Sequence, residues 1–532
     1  MTGGGGGDRP VVVVTGGGGG IGAAVAAELG RRGTHVVTVD PLVSVDGTEQ
    51  LPAADETTAG RILAAGGSAE ASNASVTDGD AVAELFDRLA TERGRIDGVV
   101  NVAGITRPTG FAKGTAEDWA AVLSVHLDGY VNVLTAALPH LAAAGGGSIV
   151  GVTSGSGWRA ADAGAYSAAK RAVASLTWQL GRVAPEGAAV NAISPIAMTR
   201  MVAAALGRIG GGGAATPGGS AKTGGLSLAG MPAPEDLAPL AAHLASEGAG
   251  GLRGQILFAG GSEVATIEPP ALLEVLRTAG AGSLGAVLDA ALRAFAAAEA
   301  AQATTGGANP RFEELFESTA WEAGRADAHV LVAADRAELG AAVAAHLAAQ
   351  GATVETATTG APPADLARFD GIVLAADEPV TEGGAAAWEA VLRQHVGLAD
   401  RLRADAAWAL AASSTAADDR PLRLVTVTDA RSAGGRSRAQ AIAQLARASR
   451  KASGDRVPAF SVGLEDPSEV EAAAALAARL ATSADLALSG AELAVGPGWI
   501  GLRSHPHPGT SLVYGGPELP GWFDDVLGEA TR

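Results

Sequence analysis

Four valines, Val11 to Val14, run into Thr15 and five consecutive glycines, Gly16 to Gly20. A short apolar run of this kind reads as a buried strand, and the glycines at its end permit a tight turn. From Ile21 to Arg32 the apolar spacing becomes helical, with small residues (Ala23, Ala24, Ala26, Ala27) on a face that can lie close to a sheet. His35 to Val39 reads as a second strand, closed by Asp40. The alternation continues with a helix over 81–93, a strand over 98–102, one long helix over 119–138, a strand over 148–152 and a helix over 166–183. Further strands fall at 189–193 and 255–258. Strands that alternate with helices of ten or more residues build a parallel sheet covered on both faces. The expected class is therefore α/β with a doubly wound sheet.

The C-terminal part repeats this pattern. Ile21-Gly-Ala-Ala-Val-Ala-Ala-Glu-Leu29 matches Leu339-Gly-Ala-Ala-Val-Ala-Ala-His-Leu347, and Gly33 matches Gly351 at the same offset. Asp97-Gly-Val-Val matches Asp370-Gly-Ile-Val. Trp119 and His126 recur at the same spacing as Trp388 and His395, and Ile149–Thr153 corresponds to Leu424–Thr428. Ala-rich sequence makes the first match cheap, but four matches in one order point to two tandem copies of one doubly wound fold. The division this predicts is 1–265, a helical connector over 266–310, and a second copy over 311–532. The Gly/Ala/Ser-rich stretch 203–230 reads either as a disordered insertion or as a lid over a substrate.

The length of 532 residues suits two to four domains. There is no Cys, so disulfides, thiolate metal sites and Cys nucleophiles are excluded together. A net charge of −19 repels phosphate backbones and argues against a nucleic-acid partner. No run of about 18 apolar residues is free of charged or polar breaks, so no membrane span is expected. The start, Met-Thr-Gly-Gly-Gly, has neither the basic nor the apolar region of a secretory signal, and a cytoplasmic protein is expected. His505-x-His507 lacks a third ligand nearby, so no metal is expected.

Gly16, Gly20 and Gly22 stand between a strand and a helix, the context a dinucleotide loop needs. Gly16 permits the turn, Gly20 lets backbone amides approach a pyrophosphate, and Gly22 packs helix on strand. A polyglycine run satisfies any glycine pattern, so the loop alone is a weak signal. Asp40, 18 residues past Gly22, strengthens it. A carboxylate at the end of strand two can accept bonds from a ribose diol and repels a 2′-phosphate, which favours NAD over NADP. Tyr166-Ser-Ala-Ala-Lys170 is the sharpest feature. Four apart on a helix, both side chains share one face, and an ammonium beside a phenol favours the phenolate. With three Tyr and four Lys in the chain, chance gives this spacing about 0.02 times. Ser154 lies 12 residues upstream, just past a strand, where its hydroxyl can bond a substrate oxygen.

Thr15-Gly-x-x-x-Gly-x-Gly22, Asn101-Val-Ala-Gly104, Ser154, Tyr166-x-x-x-Lys170 and Asn191-Ala-Ile-Ser-Pro195 stand in an order that resembles the short-chain dehydrogenases/reductases, over about residues 10–265. The resemblance implies a Rossmann-like fold. It also implies Tyr166 as general acid/base, Lys170 on the nicotinamide ribose, and Ser154 on the reacting oxygen. The cofactor site it implies comprises Gly16, Gly20, Ile21, Gly22, Asp40, Val76, Asn101, Ala103, Gly104, Tyr166, Lys170, Pro195 and Thr199. There are departures. The family's helix Asn, which holds a water in a proton relay, is His126 here; the imidazole either relays protons or is structural, and its twin His395 favours the second reading. Ser75 replaces the frequent adenine-side Asp, and Pro195 is followed by Ile196 rather than Gly. Trp158, Arg159, Met198 and Met201 fall where the family's substrates contact the protein.

At corresponding offsets the second copy has Ala334 for Gly16, Glu338 for Gly20, Thr358 for Asp40 and Asp429 for Ser154. It has no Tyr or Lys between Asp429 and Arg450. It reads as a degenerate, non-catalytic Rossmann-like domain. Because the family commonly dimerises through the helices flanking the active site, the second copy is expected to pack on the first as a built-in pseudo-dimer partner; a homodimer of whole chains is a further option. The predicted activity interconverts a ketone and a secondary alcohol with NAD, NADP being the less favoured cofactor. A small-molecule 3-oxoacyl or 3-hydroxyacyl thioester is the expected substrate. A tailoring ketoreductase of a natural-product pathway and a nucleotide-sensing scaffold are the alternatives.

Overall fold

The structure, a computed structural model, describes residues 9–52, 56–159, 161–199, 201–202, 221–223, 226–228, 232–246, 251–278, 284–302, 325–376, 386–516 and 518–531. The valine run forms β1 (Val11–Thr15), every residue of it buried, as a strand covered on both faces must be. The chain continues through α1 (Gly20–Arg31), β2 (His35–Val39), α2 (Thr58–Ala64), β3 (Ser68–Ser72), α3 (Gly79–Arg93), β4 (Gly98–Asn101), α4 (Ala116–Leu123), α5 (Gly129–Ala143), β5 (Gly147–Val152), α6 (Gly164–Val183) and β6 (Ala188–Pro195). A short hairpin, β7 (Ala221–Thr223) and β8 (Leu226–Leu228), is the part of the stretch 203–230 that falls within the described residues; the lid expected there otherwise lies outside them. Then follow α7 (Ala238–Ser246), β9 (Ile256–Gly260) and β10 (Glu263–Glu268).

The long helix expected over 119–138 is interrupted. Between α4 and α5, residues Ser124–Asp128 form a wider turn of π-helix, and His126 sits inside it. Such single-turn bulges re-aim side chains and cluster at functional sites. The periodicity runs through the bulge, which explains why the sequence reads as one helix. Among the described residues, the stretch Ala116–Ala143 is the one helix long and apolar enough to cross a membrane, and 67% of its most apolar window is buried inside the fold.

The second half comprises β11 (Leu272–Arg277), α8 (Leu284–Gln302), β12 (His329–Ala334), α9 (Ala337–Ala349), β13 (Thr353–Ala357), β14 (Gly371–Ala376), α10 (Ala387–His395), α11 (Leu398–Thr415), β15 (Arg423–Asp429), α12 (Ala433–Ser453), β16 (Ala459–Leu464), α13 (Val470–Thr482), β17 (Glu492–Gly496), β18 (Trp499–Arg503), β19 (His507–Val513) and α14 (Phe523–Ala530). Two sheets result. One has nine strands in the order β19-β10-β9-β6-β5-β4-β1-β2-β3, the other eight in the order β11-β18-β17-β16-β15-β14-β12-β13. From β1 and β12 outward the strands correspond, except that β3 has no counterpart beyond β13, and both sheets are parallel except for the last two pairings at one edge. The architecture is α/β with two Rossmann-like sheets.

The edges are exchanged. β11 follows β10 in sequence but pairs with β18 of the second sheet. β19 follows β18 but pairs with β10 of the first. The stretch 266–310, expected as a helical connector, therefore holds the end of β10 and then a strand of the second sheet before α8 begins. β19 and α14, expected in the second copy, pack with the first half: His243 on α7 bonds Asp524 at 2.7 Å and stacks edge-on with Phe523. Strands of six and seven residues at a sheet edge, mostly exposed, carry little apolar periodicity, so the sequence hid them.

The two halves meet where α6 lies against α12. One apolar core runs through the contact, with Tyr130, Val173 and Leu176 on one side and Leu398, Trp408, Ile442 and Leu445 on the other. A fully buried side chain of this size contributes about 1.5–3 kcal/mol.

Candidate active site

The turn after β1 is held by side chains as well as by backbone. Thr15 donates its hydroxyl proton to Asn101 Oδ1 at 2.7 Å and accepts from the Ala103 amide at 3.2 Å. Gly16 has φ +65°, and a Cβ there would stand 2.9 Å from the Ala103 nitrogen, so both conformation and space require glycine. At Gly22 a Cβ would fall 2.2 Å from the Gly16 carbonyl, which is how tightly α1 meets the turn. The cap residue of α1, Gly19, offers no side-chain acceptor to the amides of the first turn. Those donors, at the positive end of a helix, suit a phosphate.

Asp40 directly follows β2 and faces this turn. Its Oδ2 accepts from the Gly18 amide at 3.0 Å and its Oδ1 from the Leu42 amide at 2.9 Å. The carboxylate is thus fixed beside the glycine turn, where it has capacity left for further donors. These features fit a dinucleotide: amides for the pyrophosphate, a carboxylate for the ribose, and a long cavity between them.

Ser154 stands just past β5, while Tyr166 and Lys170 lie on the first turns of α6, so one crossover brings all three to the carboxyl ends of the strands. Burial pushes the Tyr166 phenol above its ordinary value, opposed by a hydrogen bond with Ser154 and by the positive charge of Arg159. Lys170 Nζ lies 5.7 Å from the centre of the Tyr166 ring and donates to the Val152 carbonyl at 2.6 Å. Burial pushes its ammonium down to about 7. Arg159, five residues past Ser154, thus adds a second positive charge that acts on the Tyr166 hydroxyl. The sequence placed Arg159 near the substrate but gave no sign of this charge.

His126 is buried beneath Tyr166. Its Nε2 donates to the Ile105 carbonyl at 2.8 Å, which leaves Nδ1 as a bare acceptor, and Nδ1 has no partner among the described residues. Burial, reinforced by Lys170, holds its pKa at about 3, so the ring is neutral. The imidazole is larger than an amide, and Gly104 makes the room: a Cβ there would touch the ring at 2.5 Å.

A cavity of about 870 Å³ joins these parts. Gly16, Gly20, Ile21, Asp40, Val76, Ala103, Gly104, His126, Ser154, Tyr166, Lys170, Pro195 and Thr199 all line it, as do Ser75, Arg159, Ile196 and Met201. Gly22 and Asn101 stand behind its wall, where they shape the turn. Trp158 is packed into the core beside Trp178 and Phe258, and Met198 is turned out to the surface. Neither lines the cavity, so of the two readings for these residues, substrate contact or ordinary loop packing, the packing reading holds for both.

The corresponding places in the second half are filled. Asp335, after β12, accepts from the Thr359 amide at 3.2 Å and from its hydroxyl, and Trp408 donates to the Gly360 carbonyl at 3.1 Å. Asp429 is closed by an ion pair with Arg431. His395 spends both ring nitrogens on the protein, donating from Nδ1 to the Val391 carbonyl and accepting at Nε2 from Ser437. Of the His505 and His507 pair, His505 bonds Glu299 at 2.7 Å, while His507 is exposed on β19.

Fold and cavity define a nucleotide-binding α/β protein with a Ser/Tyr/Lys set at the carboxyl ends of its strands. A profile of the short chain dehydrogenase family matches residues 10–207. A short-chain type dehydrogenase/reductase of Mycobacterium tuberculosis is 37% identical over 34% of this chain and 64% of its own length. Acetoacetyl-CoA reductase of Cupriavidus necator is 36% identical over 24% of this chain and 52% of its own. The short-chain reductase protein NovJ of Streptomyces niveus is 33% identical over 45% of this chain and 88% of its own length. The chain thus spans between about half and nine-tenths of these relatives. It belongs to the short-chain dehydrogenase/reductase family.

Proposed function

We propose that the chain is an oxidoreductase that interconverts a ketone and a secondary alcohol with a nicotinamide dinucleotide. The observation that carries this reading is the convergence of Ser154, Tyr166 and Lys170 with the glycine turn and Asp40 on one cavity. A bound dinucleotide supplies or takes the hydride. In this reading Tyr166 gives or takes the proton at the substrate oxygen, and Ser154 hydrogen-bonds that oxygen. Lys170 holds the ribose and Asp40 the adenosine diol, which favours NAD over NADP. The substrate we propose is a 3-oxoacyl thioester, in keeping with the acetoacetyl-CoA reductase among the relatives.

We also propose that the second half is a degenerate copy that serves as an intramolecular partner. Its cofactor turn carries a carboxylate where the first half has glycine, and α12 packs on α6 through the helix face behind Tyr166. The test is direct. NADH and NADPH are titrated separately, and 3-oxoacyl thioesters and cyclic ketones are then screened for oxidation of the preferred one. No turnover with any carbonyl overturns the enzyme reading; a strong NADPH preference overturns the role given to Asp40.

A further inference from the structure

The turn that carries Ser154 is held by the opposite half of the chain. Residues 154–159 satisfy part of their backbone internally: Gly157 N donates to Ser154 O at 2.8 Å, and Arg159 N to Gly155 O at 2.9 Å. The carbonyls of Ser156, Trp158 and Arg159 take their hydrogen bonds from α12. Gln444 Nε2 donates to Ser156 O at 2.9 Å and to Arg159 O at 2.8 Å. Arg447 Nη1 donates to Trp158 O. Gln444 is 1% exposed and Arg447 8%. Buried carbonyls need donors, and here the donors are side chains that local sequence cannot supply.

We infer that Gln444 and Arg447 are positioning residues for the active site, and that the second half completes the first by fixing the Ser154–Arg159 turn. Both residues act through other groups. Gln444 fixes the two ends of the segment between the Ser154 hydroxyl and the Arg159 guanidinium, the two groups that bear on Tyr166. The inference rests on the proposed roles of Ser154 and Tyr166. The segment of α12 that lost the Tyr/Lys pair holds instead the two donors that position its partner's catalytic turn.

A displacement of about 1 Å in a reacting group costs about a hundredfold in rate. The test uses the full chain, with acetoacetyl-CoA and NADH as the first probe. Gln444→Met and Arg447→Met keep the side-chain length and remove the donors; Arg447→Lys restores one donor. The expected result is a kcat lowered about ten- to a hundredfold, with the NADH dissociation constant unchanged within about twofold. Alcohol oxidation should also respond: its rising limb moves to higher pH, because Ser154 no longer favours the phenolate. Loss of folded protein alone scales that profile down without moving it. Arg447→Lys recovers a large part of the loss.

Hydrogen exchange of the 154–159 amides, which needs no substrate, quickens in both Met variants. If Gln444→Met does not fold, Gln444→Asn, whose shorter arm cannot reach both carbonyls, takes its place. Unchanged exchange, or an unchanged kcat and pH limb in folded variants, overturns the inference. A wild-type chain that turns over no carbonyl overturns the reductase reading instead, while the exchange measurement still decides the clamp.

Discussion

The imidazole of His126 stands edge-on to the ring of Tyr166, with centroids 5.1 Å apart and planes at 83°. Its Nδ1 is a buried acceptor with no partner among the described residues. Its twin His395 is an internal control, since both of its ring nitrogens are bonded within the protein. A buried polar atom without a protein partner usually has a water, and the cavity wall is where one can enter. His126→Phe, which keeps the ring contact and removes the acceptor, is expected to lower kcat roughly ten- to a hundredfold. His126→Asn should stay within about threefold. Equal rates for His126→Phe and wild type would assign the residue to packing alone.

In the proposed reading Tyr166 exchanges the proton with the substrate, and Tyr166→Phe removes that hydroxyl. Turnover should fall by about 10² to 10⁴, while NADH binding, measured by fluorescence, should change little. Ser154→Ala should lose less rate. It should also move the rising limb of alcohol oxidation upward in pH, because Ser154 is the leading group opposing the effect of burial on Tyr166.

Much of this site is legible in the sequence because short-range rules govern it. The Gly16 turn needs glycine for its φ, Asp40 directly follows a strand, and Tyr166 and Lys170 share a helix face. The bulge at Ser124–Asp128 is not legible, since apolar spacing continues on either side of it. Nor are the long-range parts. Arg159 gains its importance from where its turn folds back, and Gln444 and Arg447 act 285 or more positions away from the carbonyls they hold. The exchanged strands β11 and β19 are mostly exposed edges, where alternation is weak and pairing is decided by tertiary contact.

Asp40 should set cofactor choice. Its carboxylate is held by the Gly18 and Leu42 amides, and a negative charge there repels a 2′-phosphate. The NADH dissociation constant is expected to be at least about tenfold below that of NADPH, a difference of about 1.4 kcal/mol. Asp40→Asn keeps an acceptor for one amide and removes the charge, so the ratio should shrink to about threefold or less. A ratio unaltered by the substitution would assign discrimination to another residue.

Acid should destabilise the chain through its buried histidines. Burial holds His126 at about 3 and His395 at about 4, against about 6.5 unfolded. The unfolded state then binds more protons below pH 6.5, so stability falls as pH drops from about 6.5 and levels off only below the folded values. Asp128, raised to about 6 by burial, acts in the opposite sense, so the comparison must be with a variant. In denaturant titrations, wild type should lose a few kcal/mol between pH 7 and pH 4, and His126→Asn visibly less. Parallel losses in the two proteins would exclude this assignment.

Arg171 ties the halves together one residue past Lys170. Its Nη2 bonds Glu492 at 3.0 Å and its Nε bonds Gln440 at 3.1 Å. Both partners of the ion pair are buried; burial pushes Arg171 down to about 10 and lifts the Glu492 carboxyl. Two charges withdrawn from water gain little net stability from their attraction, but either one alone is costly. Arg171→Met should therefore destabilise the chain by about 3–5 kcal/mol by leaving Glu492 unpaired, whereas Arg171→Met with Glu492→Leu should come close to wild type or exceed it. Because the pair bridges α6 and β17, the single variant should also loosen the contact between halves. Calorimetry would then resolve two unfolding steps in Arg171→Met where the wild type and the double variant each show one. Additive losses in the double variant would mean that the two side chains are not coupled, and that the contact between the halves rests on its apolar core alone.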